Sequence, residues 1–227
     1  MQTRKNGFSL VELLMVLGVM SLLMGMLIPS VGVVRAKAQR MATGHKLRQI
    51  SLAVATYQSV TGRALAGNNL ADCLSRLAEQ TGVSEGPLFI FEEDPLVAAI
   101  PDSVPPVLIE QDQPGVWAAV EGFADWPLGI VIASGISPLA NPSTTPVVWT
   151  RGLTAEGVWQ DFGQNRAGIY GSEGGFIAFL DGHVEFYRDL AEDGGQLVTS
   201  INGQRTADIR DALGPGAMAY DYLGRVF

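Results

Sequence analysis

Cysteine is nearly absent. Cys73 is the only one in 227 residues, so the chain can build neither an internal disulfide framework nor a cysteine-based zinc site. Histidine is almost as scarce, with His45 and His183 alone, and no Gly-x-Ser-x-Gly elbow occurs; a Ser/His/Asp triad has few builds left. Charged residues reach only 17% against 47% hydrophobic, which excludes wholesale disorder. The 27 Gly and 12 Pro follow no period, which excludes a collagen-like chain or a linker protein. Lysine is missing from residue 64 onward. Residues 64–227 hold seven Arg against 22 acids, a net charge of -15, whereas residues 1–63 hold eight Lys/Arg against Glu12 alone, a net +7. So acidic a C-terminal part would repel phosphates, and a nucleic-acid-binding globular domain is disfavoured.

What the chain does have is a long apolar run. From Phe8 to Val34 one charge interrupts 27 residues, Glu12. As a helix this stretch would span roughly 40 Å, more than the ~30 Å hydrocarbon layer. A cleaved secretory signal would have a shorter apolar region ending at a small-x-small site. A buried core helix would not be uniformly apolar from Leu13 to Ile28. Membrane insertion is therefore expected. The flanking charges do not fix its direction: Arg4 and Lys5 precede the run, and Arg35, Lys37, Arg40, Lys46 and Arg48 follow it. A carboxylate such as Glu12 inside an apolar span costs about 2.5–3.5 kcal/mol. Glu12 therefore lies at the headgroup boundary or meets a positive charge from another chain.

The segment Lys5-Asn-Gly-Phe-Ser-Leu-Val-Glu-Leu-Leu14 resembles the class III signal of type IV pilins and type II secretion pseudopilins. The resemblance implies a leader, 1–7, cut between Gly7 and Phe8 by a prepilin peptidase on the cytoplasmic side, with Phe8 then N-methylated. It also implies that Glu12 pairs with the N-terminal amine of a neighbouring subunit during assembly, and that Pro29 bends the helix. The leader would stay cytoplasmic and the rest extracytoplasmic, which resolves the orientation. An inner-membrane assembly platform, other pilin or pseudopilin subunits and the lipid bilayer are the implied partners. The chemistry agrees, since a buried carboxylate and a new α-amine neutralise one another where each alone would be costly.

Beyond Pro29 the chain stays helix-compatible, with no proline and only Gly44 between Arg35 and Thr61. Leu47, Ile50, Val54 and Tyr57 form one apolar stripe. The spacing predicts a helix of roughly 50 residues, from Phe8 to about Thr61, closed by Gly62. A second helix is predicted over Leu70–Gln80, capped by Asn69 and ended by Gly82, with Cys73 a small buried hydrophobe on its inner face. From Pro87 the pattern turns to short β-rich runs: Leu88–Phe91, Val107–Glu110, Val116–Val120, Gly129–Ala133, Val147–Thr150, Gly175–Leu180 and His183–Tyr187. Helical crossovers are few, so an antiparallel sheet is expected. A weak helix follows at Thr206–Leu213. Asp181-Gly182 between two β-rich runs reads as a two-residue type I′ hairpin, pairing Phe179 with Val184 and Ile177 with Phe186. That stretch resembles the Asp-Gly-His/Ser-Val hairpin near the C-terminus of many prepilin-like proteins of planctomycete and verrucomicrobial bacteria. Many of those have histidine where this chain has Gly171.

No chemistry beyond this stands out. Asp181, His183 and Glu185 alternate on one strand, which gives poor convergence on a metal. Glu92, Glu93 and Asp94 are candidates for calcium, an ion held by some pseudopilins, but match no such loop residue by residue. Gly171-Ser-Glu-Gly-Gly175 lacks the Lys and Ser/Thr of a phosphate loop. Trp117, Trp126, Trp149 and Trp159 fit core or subunit contacts better than a sugar platform. The reading is α+β: leader 1–7, transmembrane and assembly helix 8–34, amphipathic stalk 35–62, and an extracytoplasmic head 63–227 with an antiparallel sheet. No enzyme and no cofactor are expected. The function is that of a structural pilus or pseudopilus subunit; the alternative is a membrane-anchored binding protein that forms no fibre.

Overall fold

A computed structural model describes residues 9–163, 166–192 and 195–227, the side chains of 26–31 excepted. It comprises an N-terminal helix followed by an antiparallel-sheet head, an α+β fold. The chain forms two compact units, Met1–Ala42 and Thr43–Phe227. The C-terminal part of the first helix, from Thr43, therefore belongs to the same unit as the head.

Helix α1 runs from Leu10 to Thr61. In its C-terminal part Leu47, Ile50, Val54 and Tyr57 are buried, joined by Thr43, Ser51 and Gln58 at the same three- and four-residue spacing. Burying a leucine or isoleucine fully contributes about 1.5–3 kcal/mol, so this stripe fixes the helix to the head. Buried Gln58 donates from Nε2 to the Ile136 carbonyl at 3.3 Å, which satisfies a polar tip on an apolar face. Helix α2, Leu70–Thr81, starts at Asn69, whose side chain accepts from the Asp72 N–H. It ends at Gly82, where φ is 73°.

The next expectation fails. Leu88–Phe91 reads as a strand, but Gly86–Phe89 forms the short helix α3. Pro87 sits in its first turn, where a missing N–H is harmless. An apolar run without period cannot tell a buried strand from a buried turn of helix, and Leu88, Phe89, Ile90 and Phe91 are all buried. Helix α4, Pro95–Ala98, is capped by Asp94.

Strands β1, Ile109–Gln113, and β2, Val116–Ala119, form a separate antiparallel hairpin that packs on α2. The main sheet holds β3, Ile130–Ser134, β4, Pro146–Thr150, β5, Gly175–Phe179, and β6, Val184–Tyr187. After a small ribbon, β7 at Leu197–Val198 with β8 at Arg205–Thr206, come helix α5, Ile209–Leu213, and strands β9, Met218–Asp221, and β10, Gly224–Arg225. The order is β10-β9-β3-β4-β5-β6, with neighbours antiparallel. Every residue of β3 and β4 is buried. Thr206, expected at the start of a helix, lies in β8, and Asp208 caps α5 instead.

The β5–β6 hairpin differs from expectation by one residue of register. Phe176 pairs with Phe186, Ile177 with Glu185 and Ala178 with Val184, in place of Phe179 with Val184 and Ile177 with Phe186. The loop has three residues, Leu180-Asp181-Gly182: the Gly182 N–H donates to the Phe179 carbonyl and the Phe179 N–H to the His183 carbonyl. Gly182 takes a positive φ of 88°, and with three residues in the loop the connection is not the two-residue type I′ turn. The Asp181 carboxylate accepts from the His183 N–H at 3.0 Å.

Candidate assembly site

The N-terminal unit has apolar side chains on every face. Each large apolar residue from Leu10 to Met24 is at least 47% exposed. An all-round apolar helix needs a partner or a lipid environment to cover it. Its one hydroxyl in this stretch, Ser21, donates back to the Leu17 carbonyl at 2.8 Å, which hides a polar group within the helix. Among the described residues no helix is long and apolar enough to cross a membrane. The apolar stretch with described side chains ends at Gly25, sixteen residues into α1, where a span needs about 20. The transmembrane helix expected over 8–34 is therefore not found among them.

Glu12 sits in the first turn of α1. Its Oε2 accepts a hydrogen bond from the Ser9 N–H at 2.9 Å, and the Leu13 N–H donates to the Ser9 carbonyl. Ser9-x-x-Glu12 is thus the N-terminal half-turn of a capping box, in which a carboxylate three residues on satisfies an orphan donor. The helix field there favours negative charge. Glu12 is exposed, with a carboxylate open to a second partner. Gly7 and Phe8 lie outside the described residues, as does the side chain of Pro29.

Within the head unit, the start of its helical part is joined to the loop before α4. Thr43 Oγ1 donates to Glu93 Oε1, and the Tyr170 hydroxyl donates to the same oxygen at 3.2 Å. Lys46 lies over the Phe91 ring, 5.2 Å from its centroid. Burial lowers the Lys46 pKa, opposed by Glu93 and Glu92. The hairpin turn also meets the helix: a Cβ on Gly182 would come within 2.7 Å of Leu52.

The candidate chemical groups do not converge. Glu93 serves the joint just described, and Asp94 is buried against Arg151. His183 contacts Asp181 at 2.6 Å and stacks on Phe179, while Glu185 accepts from the Tyr187 hydroxyl. Among the described residues no group of three or more His, Cys, Asp or Glu is placed to hold a metal. Burial pushes the Cys73 thiol up to about 12, with the Ser134 hydroxyl opposing, so it is no nucleophile at neutral pH. Trp149 and Trp159 are buried, which removes them from any ring platform.

Sequence reasoning missed the buried ion pair Arg151–Asp94 and the half-buried pair Arg166–Asp221. Arg151 and Asp94 meet at 2.8 Å, Arg166 and Asp221 at 2.7 Å. Arg151 also donates to the carbonyls of Ala167 and Leu128, and lies over the Tyr222 ring. Its one local sign is a cation directly after the apolar strand Val147–Thr150, which does not name a partner 57 residues away.

Residues 2–28 match the prokaryotic N-terminal methylation motif. The match defines the N-terminal segment as pilin/pseudopilin-type, and it takes in Gly7, Phe8 and Glu12. No curated protein and no solved structure matches the chain.

Proposed function

We propose that this chain is a structural subunit of a type IV pilus or type II secretion pseudopilus. The observation that carries the reading is a prokaryotic methylation motif on a helix whose apolar side chains are left uncovered. Prepilin peptidase cuts between Gly7 and Phe8, and the new N-terminus is methylated. Before assembly the segment 8–34 anchors the protein in the bacterial inner membrane, with the head on the extracytoplasmic side. At the assembly platform the helices of successive subunits then cover one another's apolar faces. Glu12 meets the α-amine of a neighbour, a pairing that sets register because an unpartnered charge in an apolar fibre core is costly. The head supplies the acidic outer surface.

The test is the intact mass and N-terminal peptide of membrane-extracted protein, together with the protein content of sheared filaments. A chain beginning at methylated Phe8 and present in filaments is the expected result. A chain retaining Met1–Gly7 in cells with active prepilin peptidase overturns the processing. Its absence from filaments overturns the fibre role and favours an anchored binding protein.

A further inference from the structure

The head is acidic, yet three of its seven arginines, Arg205, Arg210 and Arg225, line one cleft of about 610 Å³ walled by β8, α5 and β10, alongside Asp211, whose carboxylate accepts from the Thr206 hydroxyl. Arg210 is held by Asp208 at 2.5 Å, and Arg225 donates from Nε to the Phe227 carbonyl. Arg205 is exposed and has no side-chain partner among the described residues. A second hollow, of about 380 Å³, shares Ser200, Ile201, Gly214 and Pro215 with the first and adds Leu139. Ile201 is 81% exposed and Leu139 96%. Both exceed Leu10 on the uncovered helix, at 75%. The combined groove thus offers a guanidinium beside two bare aliphatic side chains, and it stands open.

The β1–β2 hairpin has the complementary character. Glu110 to Gln113 are all exposed, and the strand after the turn opens with Val116, 51% exposed. It packs on α2 and lies outside the six-stranded sheet. Its acids, Glu110 and Asp112, and its apolar Val116 match the arginine and the aliphatic pair of the groove.

We infer that the groove receives the β1–β2 hairpin of a second copy of this chain, with Asp112 facing Arg205 and Val116 seated against Ile201. The inference rests on the fibre reading and adds the contact between heads. The two surfaces differ, so the contact is heterologous and cannot make a two-fold dimer, and within a fibre its repetition runs from subunit to subunit. Charge complementarity selects the partner and fixes register, while the aliphatic contact holds it.

Crosslinking between full-length chains in whole cells tests this. One copy carries Val116→Cys and a differently tagged copy Ile201→Cys, treated with a short bismaleimide; native Cys73 is buried and stays silent. The expected result is a mixed 116–201 product and none when exposed Ser172→Cys replaces Ile201→Cys. Adding Asp112→Arg to the hairpin copy abolishes the product, and Arg205→Asp on the other copy restores it. Absence of the 116–201 product, an equal product with Ser172→Cys, or no charge rescue overturns the inference. So does a 201 product with a different polypeptide. Filament content scored in the same cells separates the two readings. Filaments without the crosslink remove this contact and keep the fibre, and the crosslink without filaments does the reverse.

Discussion

Asp94 and Arg151 meet at 2.8 Å with neither side chain exposed. Asp94 also caps α4, and Arg151 also satisfies two backbone carbonyls, so the pair ties α4 to the end of β4. Removing one partner strands a buried charge, and Asp94→Ala or Arg151→Ala each lowers stability by about 3–5 kcal/mol. The double variant loses less than the sum, because both sit in one network. Urea unfolding of the four proteins checks this; additive losses contradict it.

Glu12 caps the helix start, and substitutions separate that task from the charge pairing of the proposed function. Glu12→Gln keeps an acceptor for the Ser9 N–H and loses the charge, whereas Glu12→Val loses both. Incorporation into filaments is expected to fail in both variants. Both lose the charge–dipole attraction at the helix start, about 0.3–1 kcal/mol, and only Glu12→Val also leaves the Ser9 N–H without its acceptor and frays the first turn further. Normal incorporation of Glu12→Gln would remove the charge pairing from the mechanism.

Cys73 gives the pH dependence. Its thiol pKa rises from 9.0 to about 12 on folding, so between those values the unfolded chain loses a proton that the folded chain keeps. Stability from this group is fully present below pH 9 and declines as pH rises toward 12. Cys73→Ala flattens that part of the curve. In the native protein at about pH 8, below the ordinary thiol range, a thiol reagent leaves Cys73 unmodified, and denaturant exposes it; rapid native labelling contradicts the burial.

Gly182 tests the hairpin. A side chain there meets Leu52 at 2.7 Å and takes a φ of 88°. Gly182→Ala is expected to cost about 1–3 kcal/mol. Adding Leu52→Ala recovers the steric share but not the backbone share. Full recovery in thermal unfolding would show that the turn is unstrained.

Where pattern is local, the residues alone were sufficient. The stripe Leu47, Ile50, Val54 and Tyr57 and the caps Asn69 and Gly82 follow from spacing and from single residues. Glu12 was legible as a charge in an apolar run. Its bond to Ser9 is also a local Ser-x-x-Glu signal, masked because the surrounding run draws the eye to the membrane rather than to the helix start. Pairing across distance was not legible. Met218–Asp221 lacks a strong β signature and forms a strand because β3 offers it an open edge. Asp181-Gly182 announced a turn but left its length open, since a two-residue and a three-residue loop both accept Gly at the end. Leu88–Phe91 was ambiguous because a fully apolar run carries no period.

The placement of β9 beside β3 also bears on the order of events during synthesis. Ser134 pairs with Met218, 84 positions later in the chain, so the sheet stays open on one flank until that last part has left the ribosome. The apolar helix emerges first and needs no such wait, because helical contacts are local and sheet contacts between distant segments form slowly. The N-terminal helix can therefore be complete while the head is still an unfinished sheet, and the head closes only after its last strands have been made.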